Sequence, residues 1–150
     1  MADFYTVLKP IVRHFIKQVY AVTPVGEGTY KWRHWEGPEP LVGNGNRTRL
    51  FDVYMDPEQV PEEPNAVQNS EKDYDVFLNI DICYEALDAH TILGMQDYNG
   101  IDRKVELASV SGLTGYNFSK FQQPVWIEAD NDTHFRYMRI PVMVRVSVTR

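Results

Sequence analysis

The stretch FRYMRIPVMVRVSVTR, Phe135 to Arg150, decides how this chain folds. Taken at every second residue, one side reads Arg136, Met138, Ile140, Val142, Val144, Val146 and Val148. The other reads Tyr137, Arg139, Pro141, Met143, Arg145, Ser147 and Thr149. A period of two is that of a strand with one face in a core. The arginines on the opposite face find their explanation upstream. The segment YDVFLNIDICYEA, Tyr74 to Ala86, alternates in the same way, and its polar side carries Asp75, Asp81 and Glu85. Opposite charges facing each other on antiparallel strands stabilise by about 0.2–1 kcal/mol per pair. The two segments are therefore expected to be neighbours, with their apolar faces turned to one core. Pro141 has no N–H for a ladder, which predicts a solvent-facing margin or a bulge in the last strand.

Outward from this pair, DFYTVLKPIVRHFIKQVYAV has apolar residues at Phe4, Val7, Leu8, Ile11, Val12, Phe15, Ile16 and Val19. That spacing predicts an amphipathic helix with Asp3 as N-cap. Pro10 inside it predicts a kink or a late start. The alternation of YKWRHWE and of RTRLFDVYM predicts two further strands, separated by the turn-rich GPEPLVGNGN. Asp56 to Asp73 is rich in proline and acid and reads as a long loop. Leu87 to Leu113 reads as a helix broken near Asn99-Gly100, although KVELASV also alternates as a strand would. GLTGYNFSKFQQ reads as a loop. PVWIEA and HFRYMRIPVMV around DNDT predict a hairpin with a loop of four or five residues. The sum is a single domain over 1–150, α+β in class: a mostly antiparallel sheet with an N-terminal helix and a second helix packed on one face.

Composition excludes several functions. The net charge of -6 argues against a protein that grips nucleic acid, which needs a basic surface. It does not exclude a wall past which DNA slides without sticking, since like charges repel. The single cysteine, Cys83, permits no internal disulfide. The N-terminus lacks the pattern of a signal peptide, and no stretch approaches the roughly 18 apolar residues of a membrane span.

Motif by motif, chemistry is discounted. His14, His34, His90 and His134 show no metal-ligand spacing, and Cys83 in a strand reads as a small buried hydrophobe. Glu128 with Asp130, Asn131 and Asp132 lacks the glycine and closing glutamate of a calcium loop and reads as a turn. GNGNR is followed by a strand rather than a helix, so no helix dipole would hold a phosphate there. YKWRHW interleaves bases and aromatics as single-strand binders do, but packing or a subunit contact is the stronger reading. No catalytic, cofactor or metal residues are assigned.

The order of these elements is similar to that of the tail terminator (tail completion) proteins of long-tailed bacteriophages, the lambda tail terminator among them. The likeness rests on DFYTVLKPIVRHFIKQVY, RLFDVYM, YDVFLNIDICYEA, the helical stretch ALDAHTILGMQ…VELASV, and the closing PVWIEADNDTHFRYMRIPVMVRVSV. It covers most of the chain as a pattern, while YKWRHW and the Asp56–Asp73 insert fall outside it. The resemblance implies a structural virion protein rather than an enzyme. Its hexameric ring would cap the tail tube, end tube polymerisation, and join a head-side connector, with DNA passing through unbound.

Under that expectation the open margin of the last strand takes part in subunit contact, with Arg139, Arg145, Trp32, Trp35 and Trp126 as interface residues. Charge marks Glu58, Glu62 and Glu63 for a channel or rim, although a loop facing water is the simpler reading. Competing readings are a head-closure or connector subunit, a module binding peptide along the sheet edge, and a small enzyme pairing His90 or His134 with Glu128.

Overall fold

A computed structural model describes residues 4–22, 31–35, 48–56, 71–107, 116–129 and 132–149. The elements in chain order are α1 (Phe4–Ala21), β1 (Arg33–His34), β2 (Leu50–Met55), β3 (Glu71–Glu85), α2 (Asp88–Leu107), β4 (Tyr116–Phe121), β5 (Val125–Ala129) and β6 (Asp132–Thr149). The class is α+β. Six strands form one sheet in the order β1-β2-β3-β6-β4, with β5 also on β6, and every pairing except β1–β2 is antiparallel.

The centre of the sheet is the pairing of β3 with β6, running without interruption from Glu71↔Thr149 to Glu85↔Phe135. On one face Val76, Leu78, Ile80, Ile82 and Tyr84 stand beside Val144, Val142, Ile140 and Met138, and all are buried. Fully burying each such aliphatic side chain is worth about 1.5–3 kcal/mol. α1 covers this face through Ile11, Phe15 and Val19, one residue per turn, flanked by Leu8, Val12 and Ile16. α2 lies beside it on the same side, contributing Leu93 and Ile101.

Several expectations change here. α1 starts at Phe4 and continues through Pro10, so there is no late start; Pro10 is exposed and its ring meets solvent. α2 is continuous through Asn99-Gly100. Its glycines are there for close approach rather than as breaks. A Cβ on Gly100 would come within 3.0 Å of Val22 Cγ1, and one on Gly94 would lie 2.7 Å from Trp126 Cη2. The stretch read as a loop contains β4. The closing hairpin pairs Ala129 with Asp132, leaving two residues between them instead of four or five.

The largest correction concerns the last strand. β6 is internal, with β3 along one margin and β4 and β5 sharing the other. Pro141 lies where that second margin passes from Phe121↔Val142 to Val125↔Arg139, and its carbonyl accepts Gln122 N–H at 2.9 Å. The missing donor therefore meets the break between two short strands, not solvent. Among the described residues, both margins of β6 are occupied over most of its length, between Arg136 and Val146. Asp3, the GNGNR turn, the greater part of the Asp56–Asp73 loop and Asp130-Asn131 lie outside the described residues.

Gly94→Ala is expected to destabilise by about 1–3 kcal/mol through overpacking against Trp126. That loss outweighs roughly 1 kcal/mol gained in helix preference. Gly100→Ala, against a single methyl group, should stay within about 1 kcal/mol of the parent. Thermal unfolding followed by circular dichroism ranks the two. A Gly94→Ala protein that melts higher than the parent would show that the indole moves aside at no cost.

Candidate functional site

The face of the sheet opposite the helices is where side chains gather that the core does not use. Alternation along β3 and β6 puts Asp75 beside Arg145 and Asp81 beside Arg139, as the sequence pattern requires. Both pairs are two-pronged. Arg139 donates to the two oxygens of Asp81 at 2.9 and 3.1 Å, and Arg145 to those of Asp75 at 2.8 and 3.1 Å. Forked geometry of this kind is what a guanidinium offers a carboxylate. At the far end Ser147 donates to Asp73 at 2.6 Å. Glu85, also on this face, is opposite Phe135 rather than an arginine.

Between Asp81 and β2 the face hollows into a cleft of about 380 Å³, lined by Trp35, Leu50, Phe51, Asp52, Tyr54, Asp81, Ile127, Tyr137 and Arg139. Tyr54 closes a triangle with the ion pair, donating to Asp81 at 2.8 Å and accepting from Arg139 at 2.9 Å. Burial, then the hydrogen bond to Asp81, push the Tyr54 hydroxyl up to about 12. The bond to Asp81 raises the Arg139 guanidinium above its ordinary value. Asp52 is directly opposite Asp81 across the strands. Its Oδ1 accepts Val53 N–H at 2.9 Å and sits 3.3 Å from His34 Nε2. Burial raises the Asp52 carboxyl above the ordinary 3.8, against the opposing pull of the Val53 amide and His34. The cleft is thus walled by aromatic and apolar groups, and of its two carboxylates Asp52 has His34 rather than a guanidinium as its basic neighbour among the described residues.

A second polar cluster lies in the core, on the other face. Arg49 is fully buried with φ of 69°, a left-handed conformation costing on the order of 1 kcal/mol for a residue with a Cβ. The cost is offset by what the bend accomplishes. Arg49 N–H donates to Cys83 O at 2.8 Å, and its guanidinium donates to both oxygens of Asp97 on α2, at 2.9 and 3.0 Å. Tyr84 donates to the same carboxylate at 2.6 Å, and Trp32 packs its ring 5.4 Å from the guanidinium carbon. Next to it, Thr48 Oγ1 lies 3.3 Å from the buried His90 Nδ1. This cluster ties α2 to the sheet. It could not be found from sequence, because Arg49 and Asp97 belong to elements far apart in the chain and neither sits in a motif.

The residues assigned to subunit contact fall into three places. Arg139 and Arg145 are on the polar face, each committed to a partner within the subunit. Trp35 lines the cleft. Trp32 is only 7% exposed and belongs to the core, its Nε1 donating to Val22 O at 3.0 Å, so the fold itself uses the aromatic that was expected to meet a neighbour. Trp126 is half-buried on the helix side, 5.7 Å from Tyr84 and beneath the Arg136 guanidinium. Glu58, Glu62 and Glu63 lie outside the described residues. Cys83 is buried, His134 and Glu128 are exposed on the β5–β6 hairpin, and His90 is buried at the start of α2. Among the described residues no three His, Cys, Asp or Glu side chains converge as metal ligands would. No helix among them is long and apolar enough to cross a membrane.

Removing one member of the buried pair, by Asp97→Ala or Arg49→Ala, should cost about 3–5 kcal/mol, because the remaining charge is left without a partner. Tyr84→Phe should cost about 1.5–3 kcal/mol, the range for a hydrogen bond to a charged group. Chemical denaturation measures both. The tyrosines also predict a pH dependence. Unfolded, Tyr54 and Tyr84 ionise near 10.0; folded, both hold their protons longer, Tyr54 up to about 12. The contribution of each is complete below pH 10 and falls as pH rises above it, that of Tyr54 being lost as pH climbs through about 12. Tyr54→Phe should make the fall in melting temperature over that window shallower. For the site's meaning the chain has to supply its own evidence: no protein-family model matches the sequence, and no curated protein is found to be similar to it.

Proposed function

We propose that this chain is a structural ring subunit of the tail-terminator kind, capping a phage tail tube, ending its polymerisation and presenting a face to the head-side connector. Three features support the reading. The helix, the long alternating strand, the second helix and the closing hairpin on which the resemblance rests are all elements of the fold, with β4 in addition between α2 and the hairpin. The fold is a two-layer α+β sandwich with both helices on one side. The sheet also has two unlike margins, and this observation carries the proposal. One is β1, short and parallel to its neighbour; the other is the pair β4 and β5, antiparallel to β6.

Either margin alone could pair with its own copy across a two-fold axis and give a dimer, whereas two margins that differ can also meet each other. They suit head-to-tail contact, which closes into a ring when the rotation between copies permits. The expected route through the margin of β6 is replaced by this one. Acidic net charge fits a channel that DNA traverses without adhering. The neck of a phage virion is the location that follows from the role.

Light scattering and negative-stain microscopy of the purified protein test this directly. The expected outcome is a closed species of six copies, formed alone or on mixing with cognate tail tube protein, together with tubes of arrested length. A protein that stays monomeric at high concentration, and leaves tube growth unchanged, would overturn the proposal.

A further inference from the structure

We infer that the cleft on the polar face is a socket for Lys120 of a second copy of this chain, the contact that fixes the order of subunits around the ring. The inference rests on the ring reading above and specifies its interface.

The socket side of the argument comes from charge. In the cleft, Asp81 is neutralised by Arg139 in a closed, two-pronged pair that also engages the Tyr54 hydroxyl. Asp52 has no such cation; His34 is its nearest basic group, and Asp52 Oδ2 carries no hydrogen bond among the described residues. Two carboxylates directly opposite each other on neighbouring strands, Asp52 and Asp81, oppose stability unless a positive charge is shared between them. One arginine serves one of the two. The walls are Trp35, Tyr54 and Tyr137, ring systems against which an aliphatic stem packs and over which a cation is attracted. The chemistry that completes the site is a single positive charge on a slender apolar stem.

The occupant follows from placement. Arg139 and Arg145 are held by Asp81 and Asp75, and Arg33 stands at the cleft's own margin of the sheet. Lys120 is different. The register Lys120↔Met143 puts it on the same polar face, on the outermost strand at the opposite margin, and it is exposed. Three strand spacings separate β4 from β2, roughly 14 Å, and four residues of offset along β6 add about 13 Å in the other direction. A lysine cannot cross that distance within one subunit. Between copies the same separation is an advantage: a negative socket near one margin and a positive plug at the other define a head-to-tail contact that every successive subunit repeats. The Asp52 carboxyl, raised by burial, adds a second sign, since a group whose folded value lies above its unfolded one works against stability at neutral pH. An acid retained at that cost in the isolated subunit is consistent with a partner that arrives from outside.

The test is a charge exchange, read by sedimentation velocity with and without cognate tail tube protein. Asp52→Lys and Lys120→Glu, each alone, should weaken self-association at least tenfold, while the double variant recovers it. Asp52→Asn guards against misfolding as the cause. It should melt at or above the parent temperature at pH 7, lose that advantage below pH 3.8 where the carboxyl is protonated in both states, and still fail to assemble. Single variants that assemble like the parent would overturn the socket while leaving the ring reading intact. Loss of assembly in both single variants without recovery in the double would overturn the Asp52–Lys120 pairing. A parent protein that never associates would overturn both readings together.

Discussion

Asp81 facing Arg139 and Asp75 facing Arg145 across β3 and β6 hold the register on which everything else in this molecule is arranged. A slip of one residue would turn Val76, Leu78, Ile80 and Ile82 out of the core, a cost of many kcal/mol. A slip of two keeps the faces but moves Arg139 opposite Cys83 or Asn79, separating it from Asp81 in either direction. Hydrophobic burial therefore chooses the face and the ion pairs choose among registers that share it. The pairs are partly exposed, so their energetic contribution is modest and their value lies in specificity.

From that ladder the rest follows by packing. The apolar face needs a cover, and α1 provides it with Ile11, Phe15 and Val19. α2 must then fit beside α1 and over the end of the sheet, where Gly94 admits the Trp126 indole and Gly100 admits Val22. Arg49, bent into a left-handed conformation, reaches from the start of β2 to Asp97 and locks α2 against Tyr84. The buried ion pair is better regarded as a device that selects one arrangement of helix and sheet than as a net source of stability. The polar face carries the cleft, in which Asp52 has the Val53 amide and the His34 ring as partners rather than a guanidinium among the described residues.

Both ends of this account were readable before any coordinates, and the middle was not. The alternation in Tyr74–Ala86 and Phe135–Arg150 and the 3-4 spacing of α1 are local consequences of strand and helix geometry, so they are written in consecutive residues. Matching charges on the two polar faces even announced which strands would meet. β4 escaped notice because YNFSKF is short and framed by Gly, Gln and Pro, the marks of a loop, and becomes a strand only because β6 offers it a ladder. Trp32 and Trp35 lie three positions apart in one segment, an odd spacing that puts them on opposite faces of a strand. Their opposite orientations send one into the core and the other into the cleft.

By itself, then, the sequence determined the class of fold, the two faces of its central strands, and the pairing of their charges, because periodicity and charge complementarity act between residues whose positions a regular backbone already dictates. Only the tertiary structure decided that β6 is internal, that Arg49 finds Asp97, and that Asp52 shares a hollow with the Asp81–Arg139 ion pair. Those relations join residues from separate elements, and their distances are set by how layers pack, a quantity that no local pattern encodes.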